Sequence, residues 1–170
     1  ADFIDGVTVT GGEPTQQLPF LRAFLKELKA SEGTRHLTTA VDSNGVVDTS
    51  AWESLFPVMD GAFISIKAGS AAAYERIAGV PDAPPRVEAS LRTLHRAEKL
   101  WEIRVVLIAG ENDSSDEVAL ISEMCRRAAP GVPVVVVPFS LVGVRAEFAH
   151  LSAPDADSLS RSRELLTAHL

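Results

Sequence analysis

The fold is decided by residues 6–14, which read Gly6-Val-Thr-Val-Thr-Gly-Gly-Glu-Pro14. The β-branched residues predict a strand over Gly6–Thr10, and the two glycines then allow a sharp turn into a helix. Similar runs recur roughly 25 to 40 residues apart, with helical stretches between them. This alternation is typical of βα units around a parallel sheet. The other predicted strands are His36–Asp42, Ala62–Lys67, Glu102–Ile108 and Val132–Pro138.

Apolar residues recur at helical spacing between these strands. Four leucines at three- and four-residue intervals predict a helix over Gln17–Ser31. The last strand is a continuous apolar run, which is typical of a strand buried on both faces. Further apolar stripes predict helices that include Trp52–Phe56, Val87–Ala97, Val118–Cys125 and Leu159–Leu166.

Length and charge limit the class of protein. The chain has 170 residues and a formal net charge of −7, so we expect one domain whose main partner is neither nucleic acid nor an anionic membrane. A closed eight-stranded barrel takes about 200 residues or more, so five strands predict an open or partial barrel. The longest apolar run, Val132–Phe139, is far shorter than the ~20 residues of a membrane span. We expect a cytoplasmic protein.

Polar and small residues follow the predicted strands, and parallel sheets bind ligands at the carboxyl ends of their strands. Gly11 and Gly12 let the backbone approach a ligand, and Glu13 offers a carboxylate to an ammonium group; an ordinary βα turn is the alternative. Lys67 is either a cation for a carboxylate or phosphate, or a solvated loop residue. Asp42 is either a cation ligand or base, or a turn-forming residue.

Three other residue types bear on the site. Arg104 lies inside an apolar strand, where an unpaired guanidinium is costly, so we expect an anionic partner. The single cysteine, Cys125, shares a helix face with Val118 and Ile121 and is predicted to be a buried apolar side chain. One cysteine excludes an internal disulfide and a thiolate cluster built from this chain alone. The four histidines share no spacing, and we predict no metal site in this chain.

Motifs in a fixed order resemble the radical S-adenosylmethionine enzymes. The stretch at 6–14 looks like their second strand and its glycine-glycine-glutamate motif. Val41-Asp-Ser-Asn-Gly45 and Ile64-Ser-Ile-Lys67 are similar to the glycyl-radical-enzyme activases, of which pyruvate formate-lyase activase is the best known. The resemblance extends from about Asp5 to Phe139 and continues through residues 74–80, 103–113 and 134–140.

The resemblance implies a partial (βα)6 barrel in which S-adenosylmethionine binds a 4Fe–4S cluster. Reductive cleavage then gives a 5′-deoxyadenosyl radical, which removes a hydrogen atom from a glycine of a partner protein, with an electron donor as a second partner. It also implies cofactor-binding roles by position. The methionine amino group would meet Gly11, Gly12 and Glu13, and its carboxylate would meet Lys67. The remaining predicted site residues are Asp42 and Ser43 near the ribose or a cation, Ser65 and Arg104 in the cleft, and Val136 and Pro138 beside the adenine.

The sequence departs from the family pattern at three points. The family's three cluster cysteines, spaced Cys-x3-Cys-x2-Cys, have no counterpart, and Ser65 and Ser140 stand where the family has an aspartate and a histidine. We therefore expect the C-terminal portion of such a barrel, lacking its first βα unit and inactive by itself. The alternatives are a non-catalytic scaffold of the same fold and a phosphate-binding partial barrel. The exposed edge at Gly6–Thr10 predicts self-association, most simply as a dimer, with free amides at Val7 and Val9.

Overall fold

The computed structural model describes residues 4–167. Its centre is one sheet of five parallel strands that lie side by side in chain order. Helices connect consecutive strands, so the predicted α/β architecture of βα units is confirmed. The strands are β1 (Gly6–Val9), β2 (Thr38–Ser43), β3 (Gly61–Ile66), β4 (Leu100–Leu107) and β5 (Val134–Pro138).

Six α-helices occur within the described residues, and short 3-10 turns cover Pro14–Gln17 and Ala146–Phe148. The predicted positions differ mainly at the ends. One helix already contains Pro84 and Pro85, because prolines in a first turn remove no helical hydrogen bond. Within residues 4–167, no helix is both long and apolar enough to cross a membrane. The helices are α1 (Leu18–Ala30), α2 (Thr49–Leu55), α3 (Ala71–Ala78), α4 (Ala83–Arg96), α5 (Ser115–Ala128) and α6 (Ala156–Thr167).

The two faces of the sheet differ in what covers them. Side chains alternate along each strand, so Val41, Ile64 and Ile103 join the helices in the hydrophobic core, whereas Asp42 and Ser65 lie on the opposite, more open face. The open face also carries the predicted Arg104, whose neighbour in the ladder is Ser65. The helices therefore leave one face of the sheet available for polar residues.

The two edge strands correct two predictions. β5 is an edge strand and is not buried on both faces: Val136 is 8% exposed, whereas its neighbour Val135 is 40% exposed. At the other edge, the amide of Thr38 donates to the carbonyl of Asp5, at 3.0 Å. In a parallel ladder, every second residue of a strand directs its main-chain groups toward the same neighbouring strand. Because Asp5 faces β2, the amides of Val7 and Val9 face β2 as well. Among the described residues, the amides of β1 that point away from β2 are those of Gly6 and Thr8.

A buried polar chain fixes the turn that follows β2. Trp52 of α2 donates its indole N–H to Ser90 Oγ of α4 at 2.9 Å, and Ser90 donates to the carbonyl of Gly45 at 2.7 Å. Trp52 and Ser90 are fully buried. The turn after β2 is thus tied to two helices behind the sheet, which holds the adjoining site residues in place.

Candidate functional site

A polar cleft of about 240 Å³ lies at the carboxyl edge of β1, β2 and β3. Its position agrees with the rule that parallel sheets bind ligands at this edge. We call it the polar cleft. Seven of the ten predicted site residues line it. They are Gly11, Gly12, Glu13, Asp42, Ser43, Ser65 and Lys67, joined by Thr10 and Asn44.

Glu13 fastens the turn after β1 to the end of β2. Its Oε1 accepts hydrogen bonds from Ser43 Oγ at 2.8 Å and from the amide and hydroxyl of Thr15 at 3.1 and 2.7 Å. Its Oε2 accepts from the amide of Asn44 at 2.8 Å. Oε2 thus accepts one hydrogen bond where Oε1 accepts three, so Oε2 is the oxygen that can take one further donor. Glu13 is therefore a structural acceptor that still presents a negative charge to the cleft.

The two glycines keep the floor of the polar cleft open. Gly11 has a φ of 142°, in a region that side-chain-bearing residues rarely adopt. A Cβ atom added at Gly11 or Gly12 would meet nothing within 4 Å. The glycine requirement at position 11 thus comes from backbone conformation, and the free space beside both residues is available to a ligand.

Arg104 has the anionic partners that its place in the sheet predicted. Its Nη1 lies 2.8 Å from Asp42 Oδ2, and its Nε lies 2.7 Å from Glu102 Oε1. The guanidinium carbon also lies 4.3 Å from the centroid of the Phe63 ring. Arg104 therefore neutralises Asp42 and holds it across β3, so Asp42 enters the cleft as half of an ion pair.

Lys67 follows β3 and is half-buried between two cavities. Burial lowers the pKa of its ammonium from the ordinary value, while the nearby charges of Asp42 and Glu13 act in the opposite direction. Among residues 4–167, no carboxylate or carbonyl forms an ion pair or hydrogen bond with this ammonium. Among the residues that line the polar cleft, Lys67 is consequently the cation available for an anionic ligand group.

A second cavity, which the sequence did not predict, lies beyond Lys67. This apolar pocket has a volume of about 330 Å³ and is bounded by the ends of β4 and β5, by α3 and by the segment after β5. Its lining residues are far apart in the chain, and although several lie in the motif stretches at 74–80, 103–113 and 134–140, nothing in those motifs indicated that they meet around one cavity. They are Lys67, Arg76, Ile77, Ala78, Val106, Ile108, Glu111, Phe139, Val144, Phe148, His150 and Leu151.

The structure departs from the sequence expectation at Val136. This side chain packs in the hydrophobic core because it shares the helix-facing side of the sheet with Val105, its partner in the ladder. It cannot contact a ligand on the open face. Pro138 ends β5 and is exposed, directly before the pocket-lining Phe139.

The described residues provide no ligand set for an iron–sulfur cluster. Within residues 4–167, no three His, Cys, Asp or Glu side chains are grouped to hold a metal ion. The only cysteine of the chain, Cys125, packs in the core, and burial raises the pKa of its thiol to about 12. Clusters are bound by thiolates, so Cys125 does not suit this purpose.

The chain shares its fold with solved structures of a pyruvate-formate lyase-activating enzyme domain and of a radical S-adenosylmethionine methyltransferase. The chain superimposes on a crystal structure of a domain of pyruvate-formate lyase-activating enzyme from Bacteroides vulgatus with a TM-score of 0.77, at 21% sequence identity. The match covers 96% of this chain and 94% of that one. No protein-family model matches the chain.

Relatives found by sequence are also activating enzymes. Isethionate sulfite-lyase activating enzyme of Desulfovibrio desulfuricans is 30% identical over 144 residues, which cover 82% of this chain and 43% of that enzyme. Pyruvate formate-lyase-activating enzyme of Staphylococcus aureus is 26% identical over 166 residues, covering 91% of this chain and 64% of the enzyme. The resemblance to radical S-adenosylmethionine activating enzymes is confirmed. The chain spans about half of the length of the curated relatives it matches.

Proposed function

We propose that this chain forms the S-adenosylmethionine-binding part of a radical S-adenosylmethionine protein of the activating-enzyme type. The observation that carries the proposal is the polar cleft, which Glu13 lines together with Lys67, whose ammonium has no hydrogen-bonding partner within residues 4–167. A free amino acid group carries one ammonium and one carboxylate. One acidic and one basic side chain in the same cleft complement that pair of charges.

The proposed binding mode assigns each charge a partner. Lys67 binds the ligand carboxylate, and Glu13 Oε2 together with the main chain at Gly11 and Gly12 binds the ammonium. The adenosine end extends past Lys67 into the apolar pocket, beside Pro138 and Phe139. That pocket has a volume of about 330 Å³, and small-molecule sites of roughly 300–1,000 Å³ are mainly apolar with a few polar groups.

For these 170 residues we propose ligand binding without radical formation. The radical chemistry of the family needs a cluster held by thiolates, and the single thiol here lies in the core. The three cluster thiolates would therefore come from polypeptide outside this sequence.

For the whole protein we propose two partners. The names of the sequence relatives support a glycyl radical enzyme as the protein substrate, and an electron donor would supply the reducing equivalent.

We also propose that the edge of β1, which pairs with no other strand within residues 4–167, associates with a second polypeptide, most simply another copy of this chain. Next to that edge, Phe20 and Phe24 of α1 stack with ring centroids 6.2 Å apart, and Phe20 is 66% exposed. Apolar side chains beside an unpaired strand favour association.

Calorimetry with S-adenosylmethionine tests the binding proposal. Without a cluster to chelate the amino and carboxyl groups, we expect a dissociation constant of about 1 mM, a free energy of about −4 kcal/mol. Lys67→Met should weaken binding about tenfold, because it removes a charge-assisted contact worth about 1.5 kcal/mol. The control is Lys26→Met, which removes an exposed lysine of α1.

Three results would contradict the binding proposal. Undetectable binding at several millimolar ligand would remove its basis, and so would affinity unaffected by Lys67→Met. Micromolar binding that survives Glu13→Ala would contradict the assignment of Glu13. Binding of inorganic phosphate in place of S-adenosylmethionine would favour the phosphate-binding alternative.

A further inference from the structure

Side chains hold both main-chain polar groups of Lys67. Its amide donates to Tyr74 Oη of α3 at 3.0 Å, and its carbonyl accepts from Asn112 Nδ2 at 2.6 Å. Lys67 comes directly after Ile66, the last residue of β3. The peptide units on either side of Lys67 are therefore held by hydrogen bonds to side chains, and not by the main chain of a neighbouring strand.

Asn112 joins the ends of two neighbouring strands. It is fully buried, its Oδ1 accepts from the amide of Ile108 at 2.7 Å, and its Nδ2 donates to Val106 as well as to Lys67. One carboxamide thus serves the ends of β3 and β4 together. The bonds need an acceptor and two donors on the same small group, which asparagine provides and aspartate, serine or leucine does not.

The residues that follow Lys67 have equally little freedom. Glu117 of α5 accepts from the amides of Gly69 and Ser70 at 2.9 and 3.0 Å. A Cβ added at Gly69 would lie 2.5 Å from Leu120 Cβ, so α5 packs directly on this connection. The segment from Lys67 to Ser70 is anchored at both ends, and the Lys67 ammonium is its one charged group left without a hydrogen-bonding partner among the described residues.

Lys67 lies between the polar cleft and the apolar pocket. Of the residues that line the polar cleft, Lys67 is the one that also lines the apolar pocket. A shift of its main chain would move the ammonium relative to both cavities. Groups held rigidly by buried contacts lose less entropy when they bind a ligand.

We propose that Asn112 and Tyr74 are positioning residues for Lys67, which hold its main chain so that the ammonium meets the carboxylate of a ligand spanning the two cavities. The inference rests on the proposed function for the identity of that ligand, S-adenosylmethionine. Neither residue touches the ligand; each acts through Lys67.

Two ligands separate positioning from general stability. Asn112→Ser and Tyr74→Phe are compared by calorimetry with S-adenosylmethionine and with the same compound lacking its carboxylate. We expect each variant to bind S-adenosylmethionine about tenfold more weakly and to bind the decarboxylated compound as the parent chain does. The control is Thr39→Ala, which removes a buried hydroxyl near the amino end of β2 and should leave both affinities unchanged.

A spectroscopic readout keeps the inference independent of ligand binding. Lysine amines carrying 13C-methyl groups are titrated by NMR, where burial should make Lys67 titrate below exposed lysines despite the opposing charges of Asp42 and Glu13. In both variants the freed ammonium gains solvent, so its pKa should rise toward the ordinary value.

The outcomes distinguish the inference from the proposed function. If the parent chain binds neither ligand, the proposed function fails, and the NMR titration alone decides the positioning roles. An unchanged Lys67 titration in both variants overturns the inference. An equal loss of affinity for both ligands overturns it as well, because it would show a general structural effect.

Discussion

Replacing Glu117 by glutamine tests how firmly the connection after β3 is held. Oε2 of Glu117 accepts hydrogen bonds from the amides of Gly69 and Ser70, and Oε1 accepts one from the Ser70 hydroxyl. Glutamine has the same shape, but it carries no charge, and one of its two positions becomes a donor. If the glutamine oxygen faces the two main-chain amides, both hydrogen bonds lose their charged acceptor. If the glutamine NH2 group faces them, a donor is placed against two other donors.

The size of the effect follows from those contacts. Hydrogen bonds to a charged group contribute about 1.5–3 kcal/mol and neutral ones about 0.5–1.5 kcal/mol, so each of two bonds weakens by about 1 kcal/mol. Glu117 is half-buried, and water offsets part of the loss. We expect Glu117→Gln to lower the free energy of unfolding by about 1–2 kcal/mol near pH 7. The midpoint of thermal unfolding should fall by about 2–8 °C.

The lowered pKa of Glu117 determines how the stability difference between the parent and the variant changes with pH. Burial acts to raise the pKa of Glu117, but hydrogen bonds from Ser70 and Gly69 outweigh it, and the net pKa lies below the ordinary value. A carboxyl group with a lowered pKa in the folded state stabilises the protein above its unfolded pKa of about 4.3. That stabilisation disappears as the pH falls through the folded pKa. The parent and Glu117→Gln should therefore differ at pH 7 and converge in stability toward pH 3.5.

Urea unfolding followed by circular dichroism, at several pH values from 7 to 3.5, measures this difference. The matched control is Glu53→Gln, because Glu53 lies exposed on α2 and should change stability by less than about 0.5 kcal/mol. A Glu117→Gln difference that is independent of pH would refute the reasoning, since it would show that the charge plays no part. A difference as small as that of the control would refute it equally.

Three further predictions concern the whole chain. Incubated anaerobically with iron and sulfide, the chain should stay colourless; a stoichiometric 4Fe–4S absorbance from the monomer would contradict the ligand argument. A thiol reagent should modify Cys125 only on unfolding, because burial raises its pKa to about 12, and rapid labelling in buffer would oppose this. Light scattering should show dimers at high concentration, and a strict monomer would reject association through β1. In the monomer, hydrogen exchange should be faster at the amide of Thr8 than at the amides of Val7 and Val9.

Much of the fold could be predicted from the sequence because its signals are local. β-Branched runs, leucines at helical spacing and the paired glycines each report on a few neighbouring residues. The polar cleft was also accessible, because carboxyl ends of parallel strands meet at one edge whatever their exact register. Arg104 shows the same logic for a single residue: the cost of an unpaired guanidinium predicted an anion, and the structure identifies Asp42 and Glu102.

The errors arose where the answer depends on distant parts of the chain. Val136 lies on the core side because of its register with β4, which the apolar run from Val132 does not encode. The same run does not distinguish an edge strand from a central one. The apolar pocket depends on the segment around Phe148 folding against α3, and Asn112 acts through carbonyls contributed by two different strands. None of these has a sequence spacing that could have indicated it.

The strict chain order of the strands has a consequence for folding. Each strand pairs with the strand that precedes it in the chain, so every strand pair is separated only by the helical connection between its two strands. The polar cleft, however, takes its charges from successive units: Glu13 follows the first strand, Asp42 lies in the second and Lys67 follows the third. Arg104, which pairs with Asp42, belongs to the fourth strand. An intermediate that stops before β4 docks would leave Asp42 without its guanidinium and Lys67 without its carboxamide. Ligand affinity should therefore depend on completion of the sheet, and a bound ligand should protect β4 against local opening.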